Sequence, residues 1–226
     1  MLRYLITDGS DPKAYIIHIL LCLPIILISL SLHETAHGYA AYKLGDPTAR
    51  NLGRLTLNPM KHLDPVGFLC MLLAGFGWAN PVPINTRNFR KPRRDMALSS
   101  AAGPLSNLLL ATVFCALLKV YFLVAPHISI ANELSLNILY FSYVFLYYGV
   151  SLNITLAVFN LLPVPPLDGS RLLYVFLPPR LYFGVMKYER YISLGIMLLL
   201  LLGVLSPILS FATRGIMKIL FFVFQI

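Results

Sequence analysis

The sequence predicts an all-α polytopic membrane protein, with about four transmembrane helices and a re-entrant or extended segment between the first and second. Three observations carry this. Hydrophobic residues make up 58% of the 226 positions and charged residues only 12%, about half the charged share of an ordinary globular chain. Several apolar runs approach or exceed the roughly 20 residues needed to cross a hydrocarbon core. The basic residues are gathered in few places: nine of the eighteen lie between Lys43 and Arg94, and Arg171, Arg180, Lys187 and Arg190 follow Asp168. Such crowding in the loops on one side of a membrane is the positive-inside pattern. No basic domain stands outside these loops, so the net charge of +9 does not point to a nucleic-acid partner.

The chain opens with Met1 to Lys13, which carries Arg3, Asp8, Asp11 and Lys13. No clear small-residue cleavage site follows, so the first apolar run reads as a retained span and not as a signal peptide. That span is expected from Ala14 to about Leu44, with Gly45-Asp46-Pro47 as its stop and Pro24 as a possible bend. About thirty helical residues cover roughly 45 Å, more than the roughly 30 Å of a hydrocarbon core. His33 therefore falls past the midpoint, below the surface on the Lys43 side. Asp46 to Asp64 is polar and irregular. Val66 to Ala79 is apolar, but it is only about fourteen residues long and broken by Gly67, Gly75 and Gly77. A shallow or re-entrant segment fits it better than a span, provided its backbone is shielded. Asn80-Pro81-Val82-Pro83-Ile84-Asn85 reads as extended chain, because residues before proline avoid the helical region. It presents a candidate edge for an added peptide strand; a covering loop is the other reading.

A second span is expected from Met96 to Ala125, with Ala101-Ala102-Gly103-Pro104 offering small residues for close helix approach. The link Pro126 to Leu134 lacks basic residues, as suits the opposite side of the membrane. A third span, Leu136 to Leu162, returns and ends in Pro163-Val164-Pro165-Pro166-Leu167-Asp168-Gly169. Tyr191 to Phe211 is expected as the fourth span. The tail Ile216 to Ile226 is apolar but too short to cross alone, leaving it to the interface or to packing on the bundle. Cys22, Cys70 and Cys115 are isolated in apolar surroundings, which gives no disulfide framework and no thiolate cluster; they read as small packing residues. The organisation is one membrane-embedded domain, residues 1–226, with a core over about 14–172 and accessory C-terminal helices over about 173–226.

His33-Glu34-Thr35-Ala36-His37 carries the chemistry. Two histidines four apart on a helix project from one face, the spacing with which two imidazoles grip one metal ion. Glu34, beside the first, can reach a water held by that metal. A purely structural polar cluster is harder to sustain, since an ionisable group in a membrane segment is costly without a partner. Two histidines leave a catalytic zinc one protein ligand short. Asp168 is the acid that directly follows a proline-broken helix end, on the same side of the membrane as the end of the first span. From spacing alone it reads equally as a third ligand or as a helix N-cap.

His33-Glu34-Thr35-Ala36-His37, Gly103-Pro104 followed by Asn107, and Asn160-Leu161-Leu162-Pro163 leading to Leu167-Asp168-Gly169 together resemble the site-2 protease family, whose members are intramembrane zinc metalloproteases. The likeness runs from Ser31 to about Leu172 and includes Gly53-Arg54-Leu55-Thr56-Leu57-Asn58-Pro59. It corresponds to a compact form, with no PDZ-like domain legible within these residues. The resemblance implies one Zn2+ held by His33, His37 and Asp168, Glu34 as catalytic base, and Asn160 as an oxyanion donor or a structural amide. It further implies hydrolysis of peptide bonds in or near transmembrane segments of a membrane-protein substrate, in a bilayer that the basic loops suggest is a bacterial plasma membrane, with the site near its cytoplasmic face. Two other classes stay open: a transporter or channel with an intramembrane polar path, for which Lys119 is the only extra charged candidate, and a catalytically silent relative that binds membrane proteins.

Overall fold

A computed structural model describes residues 12–74 and 77–226. The segment Met1 to Asp11, with Arg3, Asp8 and Asp11, lies outside the described residues, as do Gly75 and Phe76. Nine α-helices are present among the described residues: α1 Pro12–Lys43, α2 Thr48–Asn51, α3 Pro65–Ala74, α4 Pro92–Val124, α5 Glu133–Asn160, α6 Asp168–Leu173, α7 Pro179–Met186, α8 Glu189–Leu201 and α9 Ser206–Phe224. No strand occurs among them, only one antiparallel bridge between Leu63 and Ala79. Four helices are long and apolar enough to cross a membrane: α1, α4, α5 and α9. The protein is a multi-pass membrane protein.

The first three spans follow the apolar runs, each displaced by a few residues at its ends. α5 begins at a reciprocal cap, in which the Asn132 side chain accepts from Ser135 N–H and the Ser135 hydroxyl accepts from Asn132 N–H. Inside the bundle, Ile25 of α1, Ala111, Phe114 and Cys115 of α4, Val150 and Ile154 of α5 and Met217 of α9 form one buried apolar cluster. The cluster lashes α4 between α1 and α5, and Cys115 serves there as the small packing residue expected.

The fourth span requires a correction. Tyr191 to Phe211 is not one helix: α8 stops at Leu201, the chain turns through Gly203 with φ at 72°, and α9 starts afresh at Ser206. The apolar character continues across this break, so hydropathy alone does not register it. Gly203 accepts the left-handed backbone at no steric cost, and Pro207 is fitted to the first helical turn. The crossing helix is therefore the 19-residue α9, which absorbs the tail that looked too short to cross by itself.

The segment between the first two spans leaves and returns on one side. Leu63 and Ala79 pair across the two feet of α3, and Asn80 N–H donates to His62 carbonyl at 2.7 Å. The polar run before it is less irregular than its composition implies, with α2 and a single 3-10 turn at Pro59–Lys61. Asp46, just past the end of α1 and 0% exposed, ties that end to the return of the loop. Its carboxylate accepts from Asn85 N–H and the Asn88 amide, each at 2.7 Å, and from both the hydroxyl and the N–H of Thr48. Burial alone would raise this carboxyl, but the converging donors outweigh it and hold the group below the usual carboxylate range.

Candidate metal centre

The histidine pair stands one turn apart on α1, with ring centroids 4.6 Å apart and ring planes nearly perpendicular. Both rings are buried. His37 Nδ1 lies 2.7 Å from the carbonyl of Ser99 on α4, so Nδ1 is the donor there and Nε2 faces inward, toward His33 and Asp168. Pro104 has no N–H and interrupts the ladder of α4 in this same stretch.

Asp168 arrives from the far end of the chain. After α5 ends at Asn160, the proline-rich turn doubles back so tightly that a Cβ on residue 169 would lie 2.2 Å from Leu161 carbonyl oxygen and 2.4 Å from that of Leu162. Only glycine fits there. Asp168 opens α6, but its side chain caps no N–H of that helix. Its Oδ2 lies instead 3.2 Å from His33 Nε2 and 3.1 Å from His37 Nε2. Burial would raise the Asp168 carboxyl, but the hydrogen bonds from His33 and His37 prevail and hold it well below the usual carboxylate range. That direction favours the ionised carboxylate, the form a metal ligand needs.

With His33 Nε2 and His37 Nε2 3.0 Å apart, the three atoms form a nearly equilateral triangle. Zinc with bonds of about 2.0–2.1 Å has tetrahedral edges of about 3.3–3.4 Å. The triangle is thus one slightly contracted face of a zinc tetrahedron, and two imidazoles with a carboxylate suit that metal. His33, His37 and Asp168 are also the group of buried donors, among the described residues, able to hold a metal ion.

Two features around this triangle were not legible as such. Gly103 was expected to help helices approach, whereas its role is more specific: a Cβ there would lie 2.4 Å from His37 Nε2 and 2.7 Å from His33 Cε1. Gly103→Ala is accordingly expected to push the imidazoles out of register, lowering zinc occupancy and costing about 1–3 kcal/mol of stability, the usual range for overpacking. Metal analysis after dialysis, with a thermal melt, checks this; full zinc content at an unchanged melting temperature would refute it. One turn further along α4, Asn107 is 1% exposed, and neither of its amide atoms is hydrogen-bonded among the described residues. His33 Nδ1 is in the same condition, so the interior between α1 and α4 is polar beyond the triangle itself.

The second feature is the strap from Asn80 to Asn85. Val82 N–H donates to Glu34 Oε2 at 2.8 Å, and Glu34 is buried beneath it. Pro81 and Pro83 have no N–H, so Val82 is the one donor in that triplet. The Arg54 guanidinium grips the strap from the other side through the carbonyls of Asn80, at 2.7 Å, and Pro81, at 3.3 Å. As an edge for a substrate strand the strap is largely used up, since Asn80, Val82 and Asn85 N–H are all engaged internally. Its observed work is to cover and orient Glu34. The Pro-Val-Pro pattern is the signal that a single backbone donor is being singled out, but the sequence does not say for which acceptor.

His33, His37, Asp168 and Glu34 thus come together. Asn160 closes α5 eight residues before Asp168, half-buried, with one amide hydrogen donated to Leu156 carbonyl at 2.9 Å. The structure gives it no contact with the triangle.

A multi-pass helical bundle with a His-His-Asp triangle and an adjacent buried glutamate defines a class: membrane metalloproteases of the HExxH type. The chain belongs to peptidase family M50, which matches residues 21–204. It is 42% identical over 204 residues to "Putative zinc metalloprotease YwhC" of Bacillus subtilis, covering 88% of this chain and 90% of that protein. "Putative zinc metalloprotease Rip2" of Mycolicibacterium smegmatis is 29% identical over 79% of this chain and 65% of its own length. The protein of that name from Mycobacterium tuberculosis is 31% identical over 80% of this chain and 64% of its own length. No solved structure matches this chain.

Proposed function

We propose that this protein is an intramembrane zinc metalloprotease that hydrolyses peptide bonds in or near the transmembrane segments of membrane-protein substrates. The observation that carries the reading is the convergence of His33 and His37 from one span with Asp168 from beyond another, beside a buried glutamate. Family membership supports it. His33 and His37 through Nε2 and Asp168 through Oδ2 are the residues that would hold Zn2+, one per chain. When bound, zinc acts as a Lewis acid toward a carbonyl and makes water a nucleophile near neutral pH.

The chain's own residues do the rest. Glu34 is the general base: it takes the proton of the attacking water and hands it to the leaving amine. Val82 N–H fixes one carboxylate oxygen, leaving the other to work. Ser99 carbonyl holds the His37 tautomer. Asn160 has one amide hydrogen committed to Leu156 and a second to offer a developing oxyanion. The buried triangle keeps the reaction out of bulk solvent, so a substrate helix must unwind to present a carbonyl.

The test is cleavage of a purified single-span substrate in detergent. Cleavage is expected to stop when 1,10-phenanthroline removes metal and to return on adding back Zn2+; cleavage that persists in metal-free protein would end the proposal. We place the protein in a bacterial plasma membrane with the site near the cytoplasmic face, because the basic loops Lys43 to Arg94 and Arg171 to Arg190 join the helix ends around the site. A cysteine replacing Arg93 should then resist an impermeant thiol reagent applied to intact cells, and labelling there would reverse the orientation.

A further inference from the structure

α9 carries two cations in its body, Arg214 and Lys218, and neither belongs to the metal centre. Arg214 is the ninth of its 19 residues. Ser206, Ser210, Arg214 and Lys218 recur every four positions and form one polar stripe, all of it exposed. Facing them on α5 are Ser151 and Thr155. The Thr213 and Thr155 hydroxyls meet at 3.2 Å, and because Thr155 donates to Ser151 carbonyl at 2.8 Å, Thr213 is the donor in that pair. Between the two helices lies a cavity of about 310 Å³, lined by Ser151, Thr155, Ser206, Ser210 and Arg214 above the threonine floor.

The cavity has donors and a guanidinium but no anion of its own. α9 contains no acidic residue and α5 only Glu133, at its opposite end. Among the described residues the ion pairs are those of Asp168 and Asp95, and none reaches Arg214. An ionisable side chain in a membrane segment calls for a partner, and a guanidinium among hydroxyls is suited to a phosphate oxygen pair.

The surroundings say where that anion comes from. Leu209 and Met217 line the cavity beside the hydroxyls, and Phe211, on the same helix beyond it, is 83% exposed, an apolar surround fitted to acyl chains and not to an ion arriving through water. Thr155 is five residues short of the end of α5, about 8 Å along its axis. Ser210 and Ser206 continue the hydroxyl stripe from Arg214 toward that same side, so the long arginine stem need only snorkel to the headgroup level. We propose that the α5–α9 groove binds the phosphodiester of an anionic phospholipid from the leaflet on the metal-centre side. Arg214 pairs with the phosphate, and the Ser210 and Ser206 hydroxyls lie along its path toward the headgroup level. The site is independent of whether the protein cleaves peptides.

Native mass spectrometry of the full chain in detergent, offered phosphatidylglycerol, phosphatidylcholine or inorganic phosphate, tests it. Wild type should retain phosphatidylglycerol in preference to phosphatidylcholine, and excess inorganic phosphate should not displace it. Arg214→Gln should weaken retention about tenfold, the effect of losing one charge-assisted contact. Ser210→Leu, which fills the groove without touching its charge, should do the same, and zinc content in both variants reports folding. Equal retention by wild type and both variants overturns the proposal, as does equal retention of the two lipids. Displacement by inorganic phosphate would make this a free-anion site and remove the lipid. Should no lipid be retained while Arg214→Gln slows cleavage only of substrates with an acidic residue near the scissile bond, the groove reads peptide and the lipid assignment falls.

Discussion

Glu34→Gln protein is expected to keep its zinc and to lose cleavage by about a hundredfold to ten-thousandfold. Glu34 is not one of the three donors of the triangle, so metal content should stay at that of the wild type. The amide retains a carbonyl oxygen to accept from Val82 N–H, so the strap stays in place and the site keeps its cover. What disappears is the ability to take and return a proton, a contribution of about 10²–10⁴ in rate. The measurement is single-turnover cleavage of a single-span substrate together with metal analysis on the same preparation. Wild-type cleavage would remove Glu34 from the mechanism. Loss of zinc along with activity would mean that Glu34 holds the site together and is not its base.

Asp168→Ala should empty the metal centre. Four-ligand zinc sites bind with about 10–16 kcal/mol, so one ligand is worth on the order of 3 kcal/mol, about two powers of ten in affinity. The loss here is compounded, because Asp168 is also the one group that draws the two buried imidazoles together through Nε2. Competition with a chromophoric chelator gives the zinc affinity directly. Unchanged affinity would leave His33 and His37 to find a third ligand elsewhere, and the turn through Gly169 would need another explanation. Asp168→Asn keeps the size of the side chain but not its charge, and should fall between the two.

The bundle also shows why some elements could be read from the chain and others could not. The three long apolar runs around His33, Gly103 and Asn153 were legible because crossing a bilayer imposes length and polarity on each segment separately. The break at Gly203 was not, since a turn between two apolar helices leaves the hydropathy intact and only the backbone changes. The strap is the intermediate case. Prolines at 81 and 83 announce extended chain, but a segment that seemed free to pair with substrate turns out to have most of its donors committed to Glu34, His62 and Asp46.

The motif His33-Glu34-Thr35-Ala36-His37 belongs to what local sequence can settle. Two imidazoles at positions 33 and 37 share a helix face by geometry alone, and the neighbouring carboxylate comes with them. Everything that completes the centre is non-local. Asp168 lies 131 residues beyond His37, and its side chain could equally have capped α6; the choice rests on a turn that only Gly169 allows. Ser99 carbonyl and Val82 N–H are backbone groups, which every residue possesses and no residue type advertises. Gly103 matters for an atom it lacks. Residue identity is written in the chain, but which backbone atom meets which side chain is decided when α1, α4 and the α5–α6 turn pack, because the approach distances are set by all three at once.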